Sequence, residues 1–328
     1  MNRAVWEPRL QRLWYGNSKL AAVLLPLSGV FCALVQLRRA AYRAGLLVSR
    51  RLDARVIVVG NITVGGTGKT PLVLALTQRL REAGFRVGIL TGGYLGRRKT
   101  WPVKVSAASD PDQVGDEPVL LARNSGAAVV AGPDRVAAGR ALLASSPCDV
   151  LICDDGLQHY ALRRDLEIAV VDAGRGHGNG HCLPAGPLRE PVSRLNTVDA
   201  LVYLGEPAPG AFGMQLELHN ATRLCDPGET RPLASFRGEP VHAVAGIGHP
   251  QRFFAALRSA GLEVEEHRFP DHHRFRAVDL EFADRRPVLM TEKDAVKCAG
   301  FAPAHWWSVA PEVHLDANLV AWLLDSLK

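Results

Sequence analysis

A glycine-rich segment near residue 60 constrains the fold of this chain more than any other feature. Residues 56–70 read VIVVGNITVGGTGKT, in which an apolar, β-branched run leads into a turn that ends in Gly68, Lys69 and Thr70. Such a turn lets backbone N–H groups point inward, and the helix that follows directs its positive end at phosphate oxygens. The pattern therefore predicts a strand, a phosphate-binding loop and a helix, which together open an α/β nucleotide-binding fold.

We expect this loop to hold the phosphates of a nucleotide together with Mg²⁺. Lys69 would bridge the β and γ phosphates, and Thr70 would ligate the metal. The full pattern requires glycine where this chain has Thr63, so the match covers the second half of the motif. The predicted nucleotide-binding residues are Thr63, Val64, Gly65, Gly66, Thr67, Gly68, Lys69 and Thr70.

Strand and helix patterns alternate downstream of the loop. Helices are predicted at 71–83, 118–123 and 136–144, and strands at 87–90, 128–131, 150–153 and 168–171. This alternation indicates a parallel sheet that is covered on both faces, with ligands bound at the carboxyl ends of its strands. The expected fold is therefore a P-loop NTPase-like α/β domain.

Glycine and proline interrupt this pattern near residue 203, where we expect a domain boundary. Residues 214–224, followed by a turn and Thr230, suggest an antiparallel hairpin that links two domains. A smaller α/β domain would follow and close over the first. The predicted division is an N-terminal segment 1–50, a P-loop domain 51–210, a hairpin linker 211–240 and a smaller α/β domain 241–328.

The N-terminal segment combines an apolar stretch with basic and aromatic flanks. Residues 20–37 read LAAVLLPLSGVFCALVQL, and Pro26, Ser28 and Gly29 interrupt them. A full span requires about 20 apolar residues, so a helix that lies in or dips into a bilayer is favoured over a secure span. A cleaved signal peptide and a buried core helix are the alternatives.

Charge and cysteine content exclude other classes of protein. The 51 residues up to Arg51 carry nine basic and one acidic residue, whereas the other 277 carry 30 and 32. A nucleic-acid enzyme would spread basic residues around its cleft, so we expect no nucleic-acid partner. The six cysteines form no C-x-x-C pair, and no Cys/His cluster has zinc spacing, which is typical of free thiols in a reducing compartment.

Two carboxylates follow the predicted strand 150–153. Asp154 and Asp155 would lie at its carboxyl end, beside the phosphate loop, where hard oxygen ligands can hold Mg²⁺ or its waters. An Asp-Asp pair at a strand end is otherwise most often a turn or a cap. The phosphate loop in the same chain favours the metal site.

Six segments, taken together and in order, resemble the tetraacyldisaccharide 4'-kinase family of lipid A biosynthesis. They are VGNITVGGTGKTP at 59–71, GDEP at 115–118, DDGLQH at 154–159, GNGHCLPAGPLREP at 178–191, DHH at 271–273 and TEKDAVK at 291–297. The resemblance implies transfer of the γ-phosphoryl group of ATP to the 4'-hydroxyl of an acylated glucosamine disaccharide 1-phosphate, which gives lipid IVA. It also implies a place at the cytoplasmic face of the inner membrane, because four acyl chains keep that substrate in the bilayer.

The resemblance also implies roles for individual residues. Asp116 would be the base that accepts the hydroxyl proton, His272 from the second domain its partner, and Lys69 the catalytic cation. The implied substrate-binding residues are Gln158, His159, Arg189 and Glu190, and the implied Mg²⁺ ligands are Thr70, Asp154, Asp155 and Glu117.

Each of these roles has a structural alternative. Asp116 could simply begin a helix, and His272 could be a surface histidine. Gln158 and His159 could hold the loop that follows Asp155, while Arg189 and Glu190 could pair with each other.

Two positions depart from the family pattern. Gly92 stands where the family usually has arginine, a role that Arg97 or Arg98 could take over, and His249 stands where the family usually has asparagine. A membrane-associated ATPase switch and a GTPase remain as competing functions. Val64 occupies the place of the signature lysine of the first class, and Thr291-Glu292-Lys293-Asp294 has its lysine one place late for the second.

Overall fold

Two β-sheets with flanking helices organise the chain in the computed structural model, which describes residues 10–16 and 19–328. The strands are β1 (Arg55–Gly60), β2 (Val87–Thr91), β3 (Val103–Val105), β4 (Ala128–Ala131), β5 (Val150–Asp154), β6 (Leu166–Asp172), β7 (Ala200–Leu204), β8 (Phe212–Leu218), β9 (Asn220–Arg223), β10 (Thr230–Pro232), β11 (Val241–Ala245), β12 (Val264–Arg268), β13 (Val288–Thr291), β14 (Trp306–Val309) and β15 (Pro311–Leu315). The α-helices are α1 (Lys19–Arg43), α2 (Lys69–Glu82), α3 (Pro111–Val114), α4 (Asp116–Asn124), α5 (Arg135–Ser145), α6 (Pro250–Ser259), α7 (Glu292–Cys298) and α8 (Ala317–Ser326). Short 3-10 helices span Val192–Thr197, Leu233–Phe236 and Ala277–Leu280.

The first sheet has nine strands in the order β15-β8-β7-β6-β1-β5-β2-β4-β3. Its inner pairs are parallel, while β3 and β15 are antiparallel to their neighbours at the two edges. The predicted parallel α/β sheet is confirmed. Because Val59 of β1 pairs with Asp154, the last residue of β5, the carboxylates of Asp154 and Asp155 lie beside the loop after β1.

Helix α2 fixes the phosphate loop against this sheet. Its buried residues, Leu72, Val73, Leu76 and Leu80, recur at helical spacing and pack into the core beneath the strands. Gly68, the residue before the helix, has φ 91°, and a Cβ there would lie 2.9 Å from Leu204 Cδ2. Only glycine fits this position, so the apolar core sets where the helix begins.

The linker predicted at 211–240 contains an antiparallel hairpin, because β9 pairs with β10 across the turn at 224–229. The rest of the linker belongs to the two sheets. β8 pairs with β7 of the first sheet, and after the single residue His219 the chain enters β9, which pairs with β14 of the second sheet. The chain returns through Ala310 into β15, which pairs antiparallel with β8. Residues 212–223 and 306–315 therefore form a two-stranded connecting ribbon between the sheets.

Strand β15 and helix α8 belong to the first domain. The second domain predicted at 241–328 is therefore too long at its C-terminal end. Leu319 and Leu323 of α8 are fully buried in the same core cluster as Leu204 and Met214. The sequence does not reveal that the chain returns to the first sheet here, because β15 is short and a single residue separates it from β14. The second sheet, in the order β10-β9-β14-β13-β11-β12, is thus inserted between β8 and β15.

Helix α1 lies on the surface of the first domain. Ser28 Oγ donates a hydrogen bond to the carbonyl oxygen of Cys182 at 2.7 Å, and the Tyr42 and Tyr160 rings lie 5.8 Å apart. Within the described residues, α1 is the one helix long and apolar enough to cross a membrane, and 6% of its most apolar window is buried. The buried core helix is therefore the wrong alternative for this segment.

Candidate active site

The phosphate loop and the strand end of β5 are joined by Lys69. Its Nζ donates to Asn61 Oδ1 at 3.1 Å and lies 3.5 Å from Asp155 Oδ1. The Asn61 side chain is held in turn, because its Nδ2 donates to Thr63 Oγ1 at 3.1 Å. Thr63, where the general motif has glycine, thus contributes a hydroxyl that orients the asparagine contacting the lysine.

The two carboxylates after β5 have opposite electrostatic environments. Burial would raise the pKa of Asp155, but the charges of Lys69 and Arg189 lower it below its ordinary value. Asp154 is 2% exposed, and its burial, with the charges of Glu117 and Asp155, raises its pKa to about 7. Asp155 forms ion pairs with Lys69 and Arg189. The Asp154 carboxyl is instead suited to a bound metal cation, which would favour its ionised form.

Two buried polar atoms point to what this site accepts. Asp154 Oδ1 and Thr67 Oγ1 have no hydrogen-bond partner among the described residues. Beside them, a Cβ added at Gly66 would meet nothing within 4 Å, so the loop is open on its ligand side. Unpaired buried oxygens are costly unless a ligand completes them, so the residues present fit a nucleotide phosphate with Mg²⁺.

The raised pKa of Asp154 gives a prediction for the protein in metal-free buffer. The neutral carboxyl is favoured in the folded state, so stability is full below about pH 4 and falls as the pH rises through about 7. Asp154→Asn should therefore raise the unfolding temperature by several degrees at pH 8 and leave it unchanged at pH 4. Thermal unfolding followed by circular dichroism measures the difference.

Asp149 is the matched control for that prediction. The hydrogen bonds from Arg86 lower the pKa of this exposed carboxyl to about 2, so Asp149→Asn should lower the unfolding temperature at pH 8. Equal changes in unfolding temperature for both substitutions across the pH range would contradict the raised pKa of Asp154.

Asp116 and His272 meet across the two domains. His272 Nδ1 lies 3.0 Å from both carboxylate oxygens of Asp116, which begins α4 and is 6% exposed. The loop after β12 supplies the histidine in a left-handed backbone conformation, with φ 59°. Burial would raise the pKa of Asp116, but the hydrogen bond from His272 and the charge of Lys293 lower it.

Lys293, which is not among the predicted site residues, completes this cluster. Its Nζ lies 2.9 Å from Glu117 Oε1, 3.3 Å from Asp271 Oδ1 and 3.4 Å from His272 Nε2. Burial would lower the pKa of Lys293, but the carboxylates of Glu117 and Asp271 raise it. The position of Lys293 could have indicated a role in the site, because the TEKDAVK segment begins at the last residue of β13, at the carboxyl edge of the second sheet.

The predicted substrate-binding residues lie together beside Asp155 but differ in accessibility. Arg189 Nη1 donates to both oxygens of Asp155, at 3.0 and 2.9 Å, and its side chain is 29% exposed. Burial and the charge of Arg135 lower the pKa of His159 to about 4, so its imidazole is neutral at pH 7.

Glu190 differs from the prediction of a direct substrate contact. It is 1% exposed and accepts hydrogen bonds from Gln158 Nε2, at 3.0 Å, and from the Tyr160 hydroxyl. Gln158 also donates to the carbonyl of Asn61 at 3.1 Å. The structural alternative, a pairing of Glu190 with Arg189, is also not formed, because the Arg189 guanidinium contacts Asp155. Gln158 and Glu190 brace the phosphate loop from behind.

The structure shows what surrounds the two residues that depart from the family pattern, Gly92 and His249. A Cβ at Gly92 would lie 3.0 Å from Nη2 of Arg135, a buried guanidinium that fills the space beside this glycine. Arg97 and Arg98, the expected substitutes, are exposed. His249 precedes α6, with Nδ1 3.8 Å from Asp172 Oδ2.

The second domain contacts the phosphate loop directly. A Cβ at Gly248 would lie 2.9 Å from the backbone nitrogen of Gly66, and Arg252 Nη2 donates to Asp172 Oδ2 at 2.6 Å. Both contacts join the carboxyl-end loops of the two sheets. The site is therefore a cleft between domains, with the phosphate loop on one wall and His272 on the other.

Comparison with known proteins agrees with this arrangement. Residues 20–328 match the model of the LpxK family, tetraacyldisaccharide-1-P 4'-kinase. The chain belongs to the tetraacyldisaccharide 4'-kinase family. It is 53% identical over 317 residues to the tetraacyldisaccharide 4'-kinase of Nitrosococcus oceani, covering 97% of this chain and 94% of the relative. It is 47% identical over 320 residues to that of Pseudomonas aeruginosa, covering 97% and 96%.

A crystal structure of another tetraacyldisaccharide 4'-kinase family member has the same fold. It is the apo form of LpxK from Aquifex aeolicus in complex with ATP, with a TM-score of 0.79 and 30% sequence identity. The match covers 94% of this chain and all of the other. The resemblance drawn from the sequence motifs is confirmed, and the ATP held by that relative agrees with the expected nucleotide. The family favours a kinase over the ATPase switch and the GTPase.

Proposed function

We propose that this protein transfers the γ-phosphoryl group of ATP to the 4'-hydroxyl of a tetraacylated glucosamine disaccharide 1-phosphate, giving lipid IVA. The observation that carries the proposal is the Asp116–His272 pair, with both Asp116 oxygens 3.0 Å from the imidazole, in the same cleft as Lys69 and the phosphate loop. A regulatory switch needs only the loop. An enzyme with a hydroxyl acceptor also needs a proton acceptor opposite it.

Asp116 would orient the sugar hydroxyl and accept its proton. Because phosphoryl transfer has a loose transition state, the nucleophile needs positioning more than early deprotonation, and an ionised carboxylate meets that need. The bond from the γ-phosphorus to the bridging oxygen of ATP breaks as the bond to the sugar oxygen forms, and the proton passes to Asp116. His272 would hold the carboxylate in place, and Lys69 would neutralise charge on the transferring group.

Thr70, Asp154 and Glu117 are the proposed Mg²⁺ ligands, with Asp155, beside Lys69, as a third carboxylate of the metal site. Bound there, Mg²⁺ would neutralise charge on the β and γ phosphates. Gln158 and Glu190 would position the phosphate loop, whereas the partly exposed Arg189 and His159 would contact the substrate. Arg189 is suited to a phosphate or a sugar hydroxyl, because its guanidinium offers further donors beyond those used on Asp155.

We place the enzyme on the cytoplasmic face of the inner membrane through α1. Six apolar residues on one face of this helix are each more than half exposed: Leu20, Val23, Leu27, Val30, Leu34 and Leu37. Their spacing of three and four residues forms a continuous stripe, opposite the face that carries Ser28. Arg38 and Arg43 at its end could attract anionic lipid.

Charged residues on this stripe should weaken bilayer binding. The double substitution Leu27→Glu and Leu34→Glu removes apolar contact without disturbing Ser28, so we expect most of the protein to leave the floating fraction in liposome flotation. Val278→Glu, at an equally exposed apolar site of the second domain, is the control and should float like the unchanged protein. Flotation that survives the double substitution would contradict the placement of α1 on lipid.

Mass spectrometry of the product tests the proposed reaction. The purified protein is incubated with ATP, Mg²⁺ and the tetraacylated disaccharide 1-phosphate, and a product heavier by one phosphoryl group at the 4' position is expected. Nucleotide hydrolysis without a phosphorylated lipid, or a preference for GTP without any acceptor, would overturn the kinase proposal in favour of a switch protein.

A further inference from the structure

Two histidines and a glutamate converge between β11 and β12 of the second domain, away from the catalytic cleft. His242, Glu265 and His267, named here the β11–β12 cluster, form one of two groups with metal-ligand geometry in the described residues. His242 pairs with Glu265 in the parallel register, and His267 lies two residues further along β12. The sequence shows no zinc spacing, because strand pairing rather than a local motif brings these residues together.

The ligand atoms of the cluster have the separations of a metal site. His242 Nδ1 lies 2.9 Å from His267 Nε2, and each nitrogen lies 3.7 Å from an oxygen of Glu265. Ligands about 2.0–2.1 Å from a tetrahedral zinc ion are roughly 3.3 Å apart, so shifts of a few tenths of an ångström would admit the ion. Two imidazoles and one carboxylate form a set that zinc-class cations prefer.

Carboxylates behind the cluster orient its ligands. His242 Nε2 lies 2.9 Å from Asp284 Oδ1, and an N–H donated there leaves Nδ1 as the lone-pair nitrogen that faces His267. Arg286 binds one oxygen of each acid, Asp284 Oδ2 at 2.7 Å and Glu265 Oε2 at 2.6 Å. Asp284 Oδ1 therefore faces His242, and Glu265 Oε1 faces His267 at 3.7 Å. Glu265 Oε2, which Arg286 binds, also lies 3.7 Å from His242 Nδ1.

An aromatic wall limits access to the cluster. The Phe282 ring stacks on His242 at 4.0 Å and lies 4.2 Å from His267. His242 is 2% exposed, while Glu265 is exposed, so the cluster opens to solvent on the glutamate side. Three protein ligands with one open side leave the fourth position of a tetrahedral ion to water.

We propose that the β11–β12 cluster binds one zinc-class divalent cation, which ties β11 to β12. The His242 imidazole, oriented by Asp284, distinguishes this cluster from the other group, Glu217, His219 and His314, whose residues are all exposed on the connecting ribbon. That exposed group supplies the matched control for the test. The proposal is independent of the phosphoryl transfer chemistry.

The test is zinc binding by the full chain, stripped with a chelator and titrated with Zn²⁺ against a competing indicator. We expect one ion per chain, bound at micromolar Kd or tighter. Asp284→Asn should weaken binding about 10–100-fold as loss of an outer partner, and His267→Asn should weaken it more. His314→Asn should leave the affinity unchanged.

The outcomes are separable from folding. Circular dichroism and the unfolding temperature in zinc-free buffer establish that each variant is folded, and Glu265→Gln, at an exposed site, serves if His267→Asn is unstable. Added Zn²⁺ should raise the unfolding temperature of the unchanged protein and of His314→Asn but not that of His267→Asn. No zinc bound at micromolar concentration, unchanged affinity in His267→Asn or Glu265→Gln, or loss of binding in His314→Asn would each overturn the proposal.

Discussion

Replacing Asp116 with asparagine is expected to lower kcat by about 10²–10⁴-fold, the range for loss of a positioned proton acceptor. The substitution keeps the size of the side chain and its place at the start of α4 but removes the negative charge between His272 and Lys293. In the proposed mechanism Asp116 acts on the sugar hydroxyl and not on ATP, so KM for ATP should change little. Steady-state kinetics with ATP and the lipid disaccharide measure both constants.

Asp112→Asn is the control for this prediction, since Asp112 is an exposed carboxylate just before the same helix, 3.4 Å from Arg274. It should retain nearly full activity. Thermal unfolding must accompany the kinetics, because removing Asp116 deprives Lys297, 3.9 Å away, of a partner. A folded Asp116→Asn protein with near-normal kcat would mean that Asp116 only begins the helix.

Lys69→Ala is expected to lower kcat by about 10²–10³-fold or more, as loss of a preorganised charge at the transferring group does. In the structure its Nζ is held between Asn61 and Asp155, at 3.1 and 3.5 Å, so the ammonium is fixed at the mouth of the phosphate loop. The variant should also bind ATP more weakly. Equilibrium binding of a fluorescent ATP analogue separates that loss from the loss in kcat.

Lys104→Ala, at an exposed position of β3, removes an equal charge outside the cleft and should leave both constants unchanged. The fold should survive Lys69→Ala, because the apolar face of α2 and Gly68 anchor the helix without it. An active, folded Lys69→Ala protein would contradict the phosphate site, whatever the outcome for Asp116.

Local patterns predicted the first sheet well. The strands around residues 56–60, 87–90, 128–131, 150–153 and 168–171 are apolar runs that are largely buried, so hydrophobicity and flanking turns identify them. Strands β3 and β14 were not predicted, and the predicted domain boundaries divide the connecting ribbon wrongly. β8 and β9 are separated by one residue, and no local signal indicates that consecutive strands enter different sheets.

Residues of the candidate site could be proposed from the sequence where a motif places them at the end of a strand. Lys69, Asp154 and Asp155 fall into this class, because parallel pairing of β1 with β5 brings their loops together. The Asp116–His272 contact spans 156 residues and two domains, so only the family resemblance could suggest it. Glu190 was predicted to bind substrate because its loop is rich in glycine and proline, but the hydrogen bonds from Tyr160 and Gln158 that enclose it depend on tertiary packing.

The connecting ribbon limits how the two domains can move. A single covalent linker would let the second domain rotate about several axes, whereas two antiparallel strands that cross together at His219 and Ala310 resist twisting and sliding. The freedom that remains is a bend perpendicular to the ribbon. Each opening of the cleft should therefore carry His272 along one repeatable arc and return it to the same oxygens of Asp116, so that the proposed catalytic pair re-forms in the same geometry.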